Sequence, residues 1–78
     1  MIKIYLYSTL GCHLCEDALV LLSPYINREL VAVDEVDIAD SDELMELYAV
    51  SIPVLKKHDS AEELAWPFDK NQLETFLK

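Results

Sequence analysis

Residues 2–22 read IKIYLYSTLGCHLCEDALVLL, and three successive patterns within them decide the fold. Ile2, Ile4 and Leu6 alternate with Lys3, Tyr5 and Tyr7, which is the period of a β-strand over about residues 2 to 7, built from residues that suit one. The loop STLG follows and holds the chain's only glycine, Gly11. Leu14, Ala18, Leu21, Leu22 and Tyr25 then recur at helical spacing, with Glu16, Asp17 and Ser23 on the other side. A strand therefore passes into a helix across Cys12 and Cys15, the only two cysteines. Pro24 lacks a backbone N–H and disfavours helical geometry at Ser23, so the helix kinks there or ends soon after.

Downstream, the elements keep alternating in type. LVAVDEVDI (30–38) is rich in Val and Ile, but Val31 and Val33 are out of phase with Val36 and Ile38, which predicts a bulge or a strand buried on both faces. Asp40 and Glu43 resemble a capping box that opens a short helix, with Leu44, Leu47 and Tyr48 on one face. After Pro53, Val54 and Leu55 start a strand, KHDSAE (57–62) turns the chain and ELAW (63–66) returns. Asp69 and Gln72 form a second capping box, with Phe68 placed to staple onto Leu73, and a helix follows through Leu77. The order is strand, helix, strand, helix, strand, strand, helix. Strands joined through a helix run parallel with a right-handed crossover, and the last two pair as a hairpin on the same sheet. The expected fold class is α/β, a four-stranded mixed sheet with helices on its faces.

Seventy-eight residues allow one domain, spanning 1–78, with a core just large enough to hold without staples. A hydrophobic fraction of 53% with one glycine and three prolines excludes a disordered or collagen-like chain. Fifteen acidic residues against six basic ones give a net charge of -9, which argues against nucleic acid or an anionic membrane as the partner. MIKIYLYSTL lacks the marks of a secretory signal, and no stretch approaches the roughly 20 apolar residues that span a bilayer. A soluble, cytoplasmic monomer is the expectation.

Two thiols three positions apart have three readings: a metal clasp, a structural disulfide or a reaction centre. A structural bridge here closes a tiny loop and restricts little unfolded-chain entropy, so it is the weakest. At the start of a helix, unpaired N–H groups and the positive end of the dipole favour an anion. A Cys12 sulfur there can accept from the N–H groups of Leu14 and Cys15 and from the Cys15 thiol. Such surroundings bring a thiol pKa from about 8.5 down to roughly 3.5–7.5. Cys12 is then suited to attack a disulfide, and Cys15, one turn inward, to resolve the mixed disulfide.

The Cys-x-x-Cys after the first strand, Ile52-Pro53 before the third and the order of elements together resemble the glutaredoxins of the thioredoxin superfamily, closest to short glutaredoxin-like proteins, over essentially the whole chain. The resemblance implies a thioredoxin-like three-layer α/β/α fold and thiol–disulfide oxidoreductase activity without a bound cofactor. It also implies Cys12 as nucleophile, Cys15 as resolver, a cis Pro53 facing the cysteines, and substrate backbone pairing at Ile52. Three features depart from the glutaredoxin pattern. His13-Leu14 stands where Pro-Tyr is usual, no lysine shortly precedes Cys12, and Trp66-Pro67-Phe68-Asp69 replaces a Gly-Gly turn and its acidic residues. Only Asp69 stands in for part of a glutathione site. A protein or low-molecular-weight disulfide is the expected substrate, with glutathione a poor one.

Of the remaining candidates, His13 either stabilises the Cys12 thiolate when protonated or is an exposed spacer, and Leu14 beside it completes the tuning pair. His58 is expected solvated in the hairpin turn. Trp66, Pro67 and Phe68 read as core and capping residues, and the acidic run from Asp34 to Glu46 as a helix start and solvated surface. Two other functions stay open: a metal or iron–sulfur carrier that needs further ligands from outside the pair, and a thioredoxin-fold interaction module without turnover.

Overall fold

Alternation along the first strand sorts the molecule into layers. The computed structural model describes residues 1–78, with β1 (Ile2–Ser8), α1 (His13–Asn27), β2 (Val31–Asp37), a 3-10 turn (Ile38–Asp40), α2 (Asp42–Tyr48), β3 (Val54–Lys57), β4 (Glu63–Ala65) and α3 (Lys70–Phe76). Ile4 and Leu6 are fully buried in the main core, together with Ala18 and Leu22 of α1 and Leu73 and Phe76 of α3. Tyr5 and Tyr7 project the other way, into a smaller cluster with Ile38, Val54, Leu44 and Tyr48. Two helices cover one face and the 3-10 turn with α2 the other, which is the three-layer α/β/α arrangement of a thioredoxin-like fold.

The sheet order is β2-β1-β3-β4. β1 pairs parallel with β2 and antiparallel with β3, and β3 with β4 forms the expected hairpin. β2 carries no bulge, since its register with β1 runs unbroken from Ile2–Val31 to Ser8–Asp37. Its phase slip has another cause: Val31 and Val33 pack into the main core, while Val36 packs into the smaller cluster on the opposite face. β2 thus serves both faces at different points along its length.

Two details of α2 differ from the sequence reading, while α1 ends soon after Pro24 as expected. α1 passes through Pro24 and ends at Asn27, where Glu29 N–H bonds to Ile26 O and Leu30 N–H to Tyr25 O. That pair is a Schellman motif, and it holds Glu29 at φ 59°, where glycine is usual. A non-glycine residue there costs about 1–2 kcal/mol. Glu29→Gly is therefore expected to stabilise the protein by roughly 0.5–1 kcal/mol after the extra chain entropy of glycine is offset, read as a higher urea midpoint at unchanged slope. At α2 the cap is Ser41, whose Oγ accepts from Leu44 N–H at 3.3 Å, while Asp40 closes the preceding turn. Both side chains are competent caps, and the turn capped by Asp37 displaces the helix start by one residue. Leu44 and Tyr48 face the sheet, but Leu47 is 68% exposed. The Asp69–Gln72 capping box has both of its hydrogen bonds, at 2.8 and 3.0 Å, and Phe68 and Leu73 share the main core.

An aromatic ladder crosses the outer face of the sheet. Tyr48 stacks on Tyr7 at 4.5 Å, Tyr7 on Tyr5 at 6.1 Å, and Tyr5 on His58 at 3.9 Å. His58 is therefore not free in its turn, because its ring is sandwiched against Tyr5 and its Nε2 lies 3.1 Å from Asp34. At the far end Tyr48 donates to Glu63 at 2.6 Å, and this bond, with burial second, pushes the phenol up to about 12 from 10.0. A phenol that holds its proton more tightly when folded stabilises the protein fully below pH 10 and loses that contribution as pH rises toward 12. Tyr48→Phe should flatten the fall in stability over that window in pH-dependent urea unfolding. An unaltered fall would show that other tyrosines carry it.

Candidate active site

The loop leaving β1 brings the cysteines to the end of the sheet where β1 finishes. Gly11 sits at φ +78°, a left-handed conformation that turns the chain into α1, and a Cβ placed there would meet nothing within 4 Å. Backbone conformation, not space, calls for glycine at this point. Cys12 is the N-cap of α1, and its sulfur accepts the Cys15 N–H at 3.1 Å. Of the donors expected from the sequence, this is the one the structure supplies. Cys12 and Cys15 are joined as a disulfide with Cα atoms 5.3 Å apart.

The two sulfurs differ in access. Cys12 is half-buried at the mouth of the loop, whereas Cys15 is 5% exposed, one turn along the helix. His13 projects into solvent, 92% exposed, and its Nδ1 lies 3.7 Å from Glu16. The exposed-spacer reading of His13 matches this placement. Leu14 is 46% exposed and lies outside the core, contrary to its assignment to the apolar helix face. That face begins instead at Cys15 and continues through Ala18 and Leu22.

Val54 stands opposite Tyr7 in the β1–β3 register, so Ile52 and Pro53 lie at the same end of the sheet as the cysteine loop. The Ile52–Pro53 bond is cis, as is Trp66–Pro67, which the sequence did not signal. Pro53 is buried, and its carbonyl accepts the Trp66 N–H at 3.0 Å, extending the hairpin. The Ile52 N–H donates to Tyr48 O at 3.1 Å. Asp69, considered above for a glutathione site, spends its carboxylate on the Gln72 N–H.

Sequence reasoning missed the walls of the cleft around the dithiol. This cleft, of about 180 Å3 between β1, α1 and β2, is lined among others by Cys12, Cys15, Leu10, Leu19 and two carboxylates, Glu16 and Glu35, while Ile52 and Pro53 lie outside it. Glu35 arrives from β2, opposite Leu6, on the face shared by Val31 and Val33. Its parity with those valines was the available signal. No group of three or more His, Cys, Asp or Glu side chains gathers at metal-ligand spacing. A four-ligand site would have to draw donors from outside the chain. No helix is long and apolar enough to cross a membrane.

A mixed sheet of this order with Cys-x-x-Cys at the first strand–helix junction defines a redox-type thioredoxin-like protein. Residues 3–78 match the family model described as glutaredoxin-like domain (DUF836), and the chain belongs to that family. Among solved structures it is similar to the structural genomics target protein XcR50 from X. campestris, whose X-ray structure superposes with a TM-score of 0.82 at 34% identity, covering 95% of this chain and 93% of that one. It is likewise similar to protein Ne2328 from Nitrosomonas europaea, with a TM-score of 0.83 at 26% identity over 99% and 92% of the two chains. No curated protein matches the chain.

Proposed function

We propose that this protein is a thiol–disulfide oxidoreductase of glutaredoxin-like type. The observation that carries this reading is the unequal access of the two sulfurs, Cys12 half-buried at the start of α1 and Cys15 5% exposed one turn in. In the reduced protein, Cys12 is the attacking thiolate, stabilised by the Cys15 N–H and the helix dipole. It forms a bond to one substrate sulfur while the substrate S–S bond breaks and the other sulfur leaves as a thiolate that takes a proton from water. Cys15 loses its proton and attacks the Cys12 sulfur, closing the internal disulfide and releasing the second substrate thiol. Two electrons pass to the substrate, and an external dithiol or thiol donor restores the pair. Ile52 and Pro53 position the substrate backbone; because the Ile52 N–H is engaged by Tyr48, the Ile52 carbonyl is the group that pairs first.

The reading predicts that catalytic amounts of protein accelerate reduction of a peptide disulfide by dithiothreitol, and a rate no faster than dithiothreitol alone would sink it. Glutathione is a poor partner under the same reading. No Lys or Arg lines the dithiol cleft; of the two candidate cations for glutathione's carboxylates, Lys57 is paired with Glu62 at 3.0 Å and Lys56 stands on β3 opposite Tyr5, outside the cleft. Turnover of a glutathione mixed disulfide with glutathione and its reductase is expected to be slow at both low and physiological salt. Fast turnover in both would mean that another group holds the tripeptide.

A further inference from the structure

We propose that Glu16 and Glu35 make the dithiol cleft selective for disulfides carried in basic, apolar-flanked protein segments; the inference rests on the oxidoreductase reading and names its substrate class. Three placements carry it. Both carboxylates line the same small cleft as Cys12 and Cys15, and no cation shares it. Glu35 takes part in none of the chain's salt bridges, and the one partner of Glu16 is an exposed histidine.

The chain's scarce cations gather elsewhere. Lys3, Lys57 and Lys78 line a hollow at the opposite end of β1, Arg28 and Lys70 line a groove between α1 and α3, and the sixth, Lys56, stands on β3 between Tyr5 and Glu63, outside the cleft. The field at the dithiol is therefore left negative, in a protein whose net charge is already -9. Thiol–disulfide exchange carries one negative charge through that point from start to finish, since a thiolate attacks and a thiolate leaves. A substrate that brings positive charge offsets both the fixed carboxylates and the thiolate's charge, and also gains in encounter rate. A substrate bearing carboxylates meets repulsion at each stage.

Exposed apolar side chains in and beside the cysteine loop point to a protein segment as the occupant in place of a small cationic disulfide. Leu10, 91% exposed, precedes Cys12 by two residues, and Leu14, 46% exposed, follows it by two. Val50, fully exposed, stands two residues before Ile52 at the same end of the sheet. Apolar side chains in such positions hold a chain segment that continues to either side of its disulfide.

The test uses the intact protein, dithiothreitol as electron donor and three substrates: two disulfide-bonded peptides of equal length and apolar content, flanked by Lys in one and Glu in the other, and cystamine. At low ionic strength the Lys peptide should be reduced about tenfold faster than the Glu peptide, and 1 M salt should shrink the ratio as the screening length falls from about 10 Å at 0.1 M to 3 Å. The Glu16→Gln/Glu35→Gln double variant should bring the ratio close to one. A change in thiolate reactivity or potential scales both peptide rates alike, so the ratio reports charge selection alone. Cystamine should be slower than the Lys peptide. Equal peptide rates, or a ratio that survives the double substitution, would overturn the selection and leave the oxidoreductase reading standing. Cystamine matching the Lys peptide would overturn the protein-segment assignment. Failure to reduce any of the three would remove both readings together.

Discussion

Replacing Cys12 by Ser is expected to abolish disulfide reduction, while replacing Cys15 by Ser leaves a protein that attacks its substrate once and stays attached to it. The asymmetry follows from the geometry of the helix start. Cys12 caps the helix and is reachable from solvent, so a disulfide can align with it; Cys15 lies one turn inward at 5% exposure, where an incoming disulfide is excluded but the Cys12 sulfur is adjacent. Serine preserves the size of the side chain but its hydroxyl is not ionised near neutral pH, so the loss is expected to be complete within detection and not graded. The check is intact-protein mass after incubation with a peptide disulfide. Cys15→Ser should carry one peptide, released by dithiothreitol, and Cys12→Ser none. Comparable adducts on both variants would mean that the sulfurs are interchangeable and that the difference in burial has no chemical consequence.

The second large effect is on stability. Leu55 is fully buried on β3 and stands opposite Leu6, itself fully buried on β1, so the two form the middle of the core beneath α1 and α3. Leu55→Ala removes three carbons from a site enclosed by sheet and helices and should cost about 2–5 kcal/mol. A domain of this size has about 4–12 kcal/mol in total, so the variant should sit near the edge of folding, with a midpoint lowered on the order of 10–40 °C. Because β3 begins just after Ile52 and Pro53, partial unfolding here should also lower activity before the global transition. A loss below about 1 kcal/mol in urea unfolding would show that the core collapses around the missing carbons.

Local patterns in the sequence were legible where one element alone decides the outcome. The alternation of Ile2, Ile4 and Leu6 placed β1, the helix-start position of Cys12 placed the dithiol, and Asp69 with Gln72 placed α3. Features that depend on which strands become neighbours were not legible. Glu35 enters the dithiol cleft because β2 pairs with β1 in a register that sets it beside Leu6. His58 stays in its turn, but its ring is held by Tyr5 and Asp34, which lie on two other strands. Ser41 and Asp40 both suit a helix cap, and the preceding 3-10 turn decides between them. Leu14 and Leu47 fit an apolar spacing, yet Leu14 precedes the packed face of α1, which begins at Cys15, and Leu47 is turned round α2 from the face that Leu44 and Tyr48 lay on the sheet, which leaves both exposed.

A redox pair with Cys12 as its attacking sulfur should show the asymmetry of its two sulfurs in thiol reactivity itself. The measurement is alkylation of the fully reduced native protein near pH 7 with less than one equivalent of iodoacetamide, the labelled cysteine being identified by fragment mass. Cys12 is expected to take essentially all of the label, faster than either thiol reacts in the unfolded chain, and Cys15 to react only after unfolding. Preferential labelling of Cys15, or native Cys12 reacting no faster than an unfolded thiol, would contradict that assignment.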